Sequence, residues 1–358
     1  MFTVLIFFIV LGILVLAHEF GHFYVAKKAG MRVDEFGFGF PPRIFGIKKG
    51  ETVYSVNWIP FGGFVKVYGE QGEGEDDSRS FASRPAGIRA KVIVAGVVMN
   101  LLLAAVLLGL GNFLGLRIGL LDGDAGARDI KIQIINVSSD SPAQAAGLNP
   151  LDEIIRLEKG SDAVSVGEVE EVQTFVKKYA GQEITVVIGR NGGELDLNLV
   201  PRLDPPPGQG ELGISLVKTG VVSYPWYEAI WRGVRDTGLM TANIAVALAI
   251  FFKNLFVDSS QIAGVSGPVG IAVLTGQAAG LGFNYLLQFV ALLSINLAVL
   301  NIMPFPALDG GRLLFIGIER VKGSPVSKKV ENLVNATGFA FLLALMIWIT
   351  VKDVSRFF

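Results

Sequence analysis

The chain of 358 residues contains no cysteine. Disulfides and thiolate metal sites are thereby excluded, and any metal must be held by nitrogen and oxygen. Charge is also scarce: Asp, Glu, Lys and Arg make up 18% of the chain and the formal net charge is −1. That balance offers no basic footprint, so no nucleic-acid partner is expected. Histidine occurs only twice. What is abundant is apolar: 51% of residues are hydrophobic and the mean hydropathy is +0.52. This describes a membrane protein that carries some soluble mass.

Four apolar runs have spanning length, giving transmembrane helices expected within residues 1–28, 89–117, 285–312 and 333–352. The first lacks a basic leader and a small-residue cleavage site, so it reads as a retained helix rather than a signal peptide. A further candidate, Gly238 to Phe252, is short and flanked by Arg235, Asp236 and Lys253. It is expected to lie along the membrane surface, within a linker and amphipathic interfacial region at 205–284. The segments 29–88 and 313–332 are rich in Lys and Arg, which places them in the cytoplasm and the long middle segment outside.

Both histidines fall within the first apolar run, in His18-Glu19-Phe20-Gly21-His22. Positions four apart share a helix face, so both imidazoles can bind one zinc ion. Glu19, beside the first of them, stands where a general base for hydrolytic water is wanted. Ionisable groups at membrane depth are costly and point to function. Two histidines leave zinc short of the three protein ligands of a catalytic site. With no third histidine, a carboxylate must serve, and the best candidate is Asp309 in Pro306-Ala307-Leu308-Asp309-Gly310-Gly311, just past the third span. If the third ligand comes from there, the first and third spans run parallel with one crossing back between them.

Two stretches outside the spans have their own pattern. Thr52 to Tyr68 holds two β-like runs around a Pro-Phe-Gly-Gly turn, and so predicts a membrane-associated β-hairpin whose edge can pair with an extended peptide. Residues 125–204 read as a soluble α/β module. Strands are expected at Ile130–Val137 and Asp152–Leu157, a capped helical turn at Ser141-Pro142-Ala143-Gln144, a helix at Val169–Tyr179, and a hairpin from Glu183 to Val200.

These residues carry a family pattern. The chain resembles the site-2 proteases, the intramembrane zinc metalloproteases of the bacterial RseP type. The resemblance rests on HEFGH at 18–22, PALDGG at 306–311, FGFGFPPRIFG at 36–46 and FGGFVKVYGE at 61–70. It extends to Gly96-Val97-Val98-Met99-Asn100, to Asn296 and Asn301, and to VSGPVGI at 265–271. SPAQAAGLNPLD at 141–152 resembles a PDZ domain, present here once where many relatives carry two copies. The implied fold is a polytopic α-helical membrane protein with four transmembrane helices, the hairpin and one extracytoplasmic PDZ domain. The implied activity is hydrolysis of peptide bonds within the spanning segments of single-pass membrane proteins, of the anti-sigma-factor or remnant-signal-peptide kind, in the bacterial cytoplasmic membrane. Zinc would be held by His18, His22 and Asp309 toward the cytoplasmic side, with Glu19 catalytic. Asn296, Asn301, Phe61, Gly62 and Gly63 would contact substrate, and membrane lipids would surround the spans.

Two rivals stay open on sequence alone. A metal transporter also places histidine and carboxylate in spans, but it leaves Glu19 and the hairpin without a role. A scaffold with a structural metal would need a closed site of four protein ligands.

Overall fold

In the computed structural model, residues 2–72, 74, 76–120, 126–190, 192–255 and 267–357 are described. They form two compact units: Met1–Gly111 with Tyr227–Phe358, and Asn112–Trp226.

The first unit opens with helix α1, Phe2–Lys28. Strands β1, Val33–Lys49, and β2, Thr52–Val67, follow, and then helix α2, Ala86–Leu114. The predicted hairpin is corrected here. The two runs of Thr52 to Tyr68 do not pair with each other, because β1 lies between them. Phe36 pairs with both Tyr54 and Val65, and Gly37 with both Ser55 and Phe64. The later part of β1 turns back along the other side of β2, with Ile47 opposite Tyr54 and Lys49 opposite Thr52. Four runs of chain therefore lie side by side, and Gly63–Val67 is an outer one. Phe23 of α1 anchors the sheet by edge contacts to Phe36 and Tyr54, at 5.3 and 5.9 Å between ring centres. The far end presents Phe40, Ile44, Phe45, Ile47 and Trp58 as exposed apolar side chains.

After the second unit the chain forms α5, Trp226–Leu255, then α6, Pro268–Leu281, and α7, Phe283–Ile302. Helices α8, Asp309–Lys322, and α9, Lys328–Phe357, end it. Among the described residues five helices, not the expected four, are long and apolar enough to cross a membrane. The addition is α5. Its first turns carry Glu228, Arg232, Arg235 and Asp236, which cut the apolar run short in sequence, yet the helix continues through them for 30 residues. Of residues 313–332, expected as a cytoplasmic loop, 313–322 are helical in α8 and 328–332 open α9. Val265 and Ser266 lie outside the described residues.

Small residues let the helices of this unit approach closely. Ala104 and Leu108 of α2 pack on Ala291, Ile295 and Val299 of α7. Val10 and Leu14 of α1 meet Val290 of the same helix. Where α1 crosses α2, a Cβ on Gly21 would stand 2.3 Å from the Ala95 carbonyl oxygen, so only glycine fits.

The second unit is a sheet in the order β3-β9-β4-β5-β7-β8, with β6 beside β5. Its strands are β3 Leu116–Gly119, β4 Arg128–Val137, β5 Glu153–Lys159, β6 Asp162–Ser165, β7 Ile184–Arg190, β8 Gly193–Leu199 and β9 Ile214–Val222. Helix α3, Pro142–Ala145, begins with Ser141 Oγ accepting from the Gln144 N–H at 3.1 Å. The Gln144 side-chain oxygen in turn accepts from the Asp140 N–H at 2.7 Å. Helix α4, Val169–Lys178, covers the sheet with Val172, Phe175 and Val176. The unit extends past the expected 125–204 at both ends. Strands β3 and β9 pair with each other, Leu116 opposite Val222, and a boundary inside either would break that ladder.

Candidate metal centre and active site

Helix α1 is continuous through His18 and His22, so both rings leave the same face one turn apart. Their Nε2 atoms are 3.1 Å apart. The chain leaves α7 at Ile302, turns, and re-enters helix at Asp309, whose Oδ2 lies 3.1 Å from His18 Nε2 and 3.3 Å from His22 Nε2. Among the described residues these three form the one group of His, Cys, Asp and Glu able to share a metal ion.

The triangle fits zinc. Bonds of ~2.0–2.1 Å in a tetrahedral site place neighbouring ligand atoms ~3.3 Å apart. Buried Asp309 Oδ2 lacks any hydrogen bond despite its two close nitrogen neighbours, as suits an atom placed for a metal. A carboxylate there would supply the anionic oxygen that a third ligand needs beside two imidazoles.

The far side of each ring is also held. His22 Nδ1 is 2.9 Å from the Val92 carbonyl oxygen, which can only accept, so Nδ1 carries the proton and Nε2 keeps its lone pair. His18 Nδ1 faces the side-chain amide of Asn100 at 3.3 Å. Asn100 is fully buried, and its Oδ1 has no partner. Turning that amide would give the His18 Nδ1–H its acceptor and leave both rings in the same tautomer. Ser294 Oγ fixes the backbone there by donating to the Asn100 carbonyl at 2.8 Å. The sequence pointed to Asn100 only through the family motif, since a lone asparagine in an apolar run does not announce its partner. Gly96 completes the cradle: a Cβ there would stand 2.4 Å from His22 Nε2.

The other expected site residues divide. Asn301 reaches the centre, with Nδ2 3.4 Å from His18 Nε2. Asn296 turns away and donates to the Leu292 carbonyl on its own helix at 2.9 Å. Gly63 lies against α1, where a Cβ would meet Glu19 Cγ at 3.4 Å and Val15 Cγ1 at 3.0 Å. Gly62 has φ +104 and packs on Phe40. The side chain of Phe61 lies outside the described residues. A cavity of about 240 Å³ joins His18, Glu19, His22 and Asp309 to Phe64 and Val65 of β2.

A glutamate between two imidazoles on one helix, a carboxylate closing the triangle and a cavity beside them define a zinc metallopeptidase centre set among apolar helices. The comparisons agree. The sequence profile of Peptidase family M50 matches residues 6–345. A Clostridium acetobutylicum protein named “Putative zinc metalloprotease” is 33% identical, over 99% of this chain and 97% of its own. The zinc metalloprotease RasP of Shouchella clausii is 30% identical, with 99% of each covered. The regulator of sigma-W protease RasP of Bacillus subtilis is 28% identical over 99% of each. The chain belongs to Peptidase family M50, the site-2 protease family, and is a multi-pass membrane zinc metalloprotease.

Proposed function

We propose that this protein cuts peptide bonds inside the spanning segments of single-pass membrane proteins, with His18, His22 and Asp309 as zinc ligands and Glu19 as general base. The observation that carries the reading is the His18–His22–Asp309 triangle, held by apolar helices and opening on a cavity that an outer strand lines. When bound, zinc polarises the scissile carbonyl and lowers the pKa of its water toward ~7. Glu19 takes the proton as the peptide bond is attacked and passes it to the departing amine. Asn100 and the Val92 carbonyl keep both imidazoles correctly turned throughout.

A helical substrate conceals its carbonyls and must unwind to be cut. The run Gly63–Val67 is paired with β1 and borders Glu19, so an unwound segment can add beside it as a further strand. Gly62 and Gly63 keep that approach open, while Asn301 is placed to bind substrate backbone beside the metal. Asn296 would need to release Leu292 first. The exposed aromatic tip of the sheet suits the membrane boundary. The relative that regulates sigma-W supports substrates that restrain a sigma factor, with remnant signal peptides as a second kind. The direct test is cleavage of a single-pass protein in zinc-containing vesicles, with the scissile bond mapped by mass spectrometry. The expected bond lies inside the spanning segment; cuts confined to exposed loops would overturn the reading.

The second unit is read as a single PDZ domain on the extracytoplasmic side, the zinc site facing the cytoplasm, and as a filter against substrates with large outer domains. Because β3 and β9 pair, a clean deletion must remove Leu116 to Val222 together. That deletion should preserve cleavage of trimmed substrates and raise cleavage of untrimmed ones about tenfold, by relieving an exclusion worth ~1.4 kcal/mol. Loss of both, with zinc still bound, would show that the unit helps to assemble the site.

A further inference from the structure

Beside the catalytic cavity lies a second one of about 330 Å³. The two share Glu70, Phe81, Ile93 and Arg312 as walls. Arg312, one turn into α8 from Asp309, pairs through Nη1 with Glu70 Oε1, just beyond the end of β2. This ion pair therefore belongs to the partition. The second cavity is polar, lined by Arg89, Glu319, Lys328 and Glu331, with Arg89 paired to Glu319 and Lys328 to Glu331.

The charges around the catalytic cavity are unequal. Glu19, Glu70 and Asp309 line it, and Arg312 is the one Lys or Arg among its described residues. Hydrolysis breaks the C–N bond and gives the water oxygen to the carbonyl carbon and a proton to the nitrogen. The new acid then ionises, so a fresh carboxylate appears among existing ones in an apolar setting. An anion left there without a partner is costly. Once the anion leaves the metal-binding triangle, the guanidinium of Arg312 is the one Lys or Arg group in the described lining that can take it, and its planar fork matches a carboxylate. Its bond to Glu70 is no obstacle. The Arg312 and Glu70 side chains are 45% and 22% exposed, and a partly exposed pair exchanges readily. One carboxylate replaces another on the same cation.

We propose that Arg312 is a product-binding residue: it exchanges Glu70 for the newly formed peptide carboxylate and draws that end from the catalytic cavity into the second one. The inference rests on the proteolytic reading above. Glu70 then acts as a resident competitor that restores the partition once product leaves.

The test uses the full-length Glu19→Gln protein loaded with zinc, so that binding is read without turnover. The probe is a dye-labelled leucine-rich heptapeptide, as free acid and as C-terminal amide, followed by fluorescence polarisation. The ratio of the two affinities, acid over amide, should fall about tenfold on adding Arg312→Gln, the loss of one charge-assisted carboxylate contact. Arg312→Lys should keep most of it. Glu70→Gln should tighten the acid roughly threefold and leave the amide unchanged, because the competitor for Arg312 is gone. Should Arg312→Gln fail to retain zinc, the Lys and Glu70 variants still decide. An unchanged ratio in a zinc-loaded Arg312→Gln protein, or no gain for the acid in Glu70→Gln, overturns the exchange. Failure of the unmodified protein to cut any membrane substrate would instead count against the proposed function.

Discussion

Replacing Glu19 with Gln should abolish peptide hydrolysis while zinc stays bound. The substitution keeps the size of the side chain and removes its capacity to accept a proton. Glu19 lines the cavity beside the His18–His22–Asp309 group without belonging to it. Metal affinity should therefore hold, and the rate should fall by the ~10²–10⁴-fold that a positioned acid–base group contributes. The measurement pairs turnover on a purified membrane substrate with zinc content in the same sample. A variant that keeps its zinc and cleaves within a few-fold of the unmodified protein would remove Glu19 from the chemistry. One that loses both zinc and activity would make it a ligand, as the transporter reading requires.

The centre was legible in sequence because its chemistry is rare. Two histidines in the whole chain, four apart on a helix, admit few readings, and the absence of cysteine left a carboxylate as third partner. The local order of the second unit was legible for a different reason. Its turns are punctuated by Ser141-Pro142 and by the glycines at 192 and 193, and its helix α4 has a clear apolar face.

What escaped was set by tertiary partners. β1 contains Pro41 and Pro42 and several glycines, all unfavourable in an interior strand, so its place between the two halves of β2 was not readable. β9 follows a proline-rich stretch that read as the end of the module, and its pairing with β3 spans more than a hundred positions of sequence. The full length of α5 was hidden by charges in its first turns. Asn100 and Val92 act on the histidines from another helix, and nothing in the spacing along α2 reveals which ring each will face.

Asp309→Ala should strip the site of zinc. Removing a direct ligand should weaken affinity by more than the ~10–100-fold typical of outer partners, measured by competition with a chromogenic chelator. The position allows a simpler account, because Asp309 is the first residue of α8 and a carboxylate there also stabilises the helix. Asp309→Asn separates the two, since Asn still serves a helix start but is a far poorer zinc ligand. The turn that delivers Asp309 can also be broken without touching its side chain. A Cβ on Gly310 would stand 2.1 Å from the Met303 carbonyl oxygen, so Gly310→Ala must displace the segment between α7 and α8. If Asp309 is the third ligand, Ala and Asn at 309 lose zinc while circular dichroism and the thermal stability of the zinc-free proteins change little, and Gly310→Ala loses zinc together with some of that zinc-free stability. If Asp309→Asn holds zinc as tightly as the unmodified protein, the approach of Oδ2 to both imidazoles is an ion pair at a helix start, and the third ligand must be sought elsewhere.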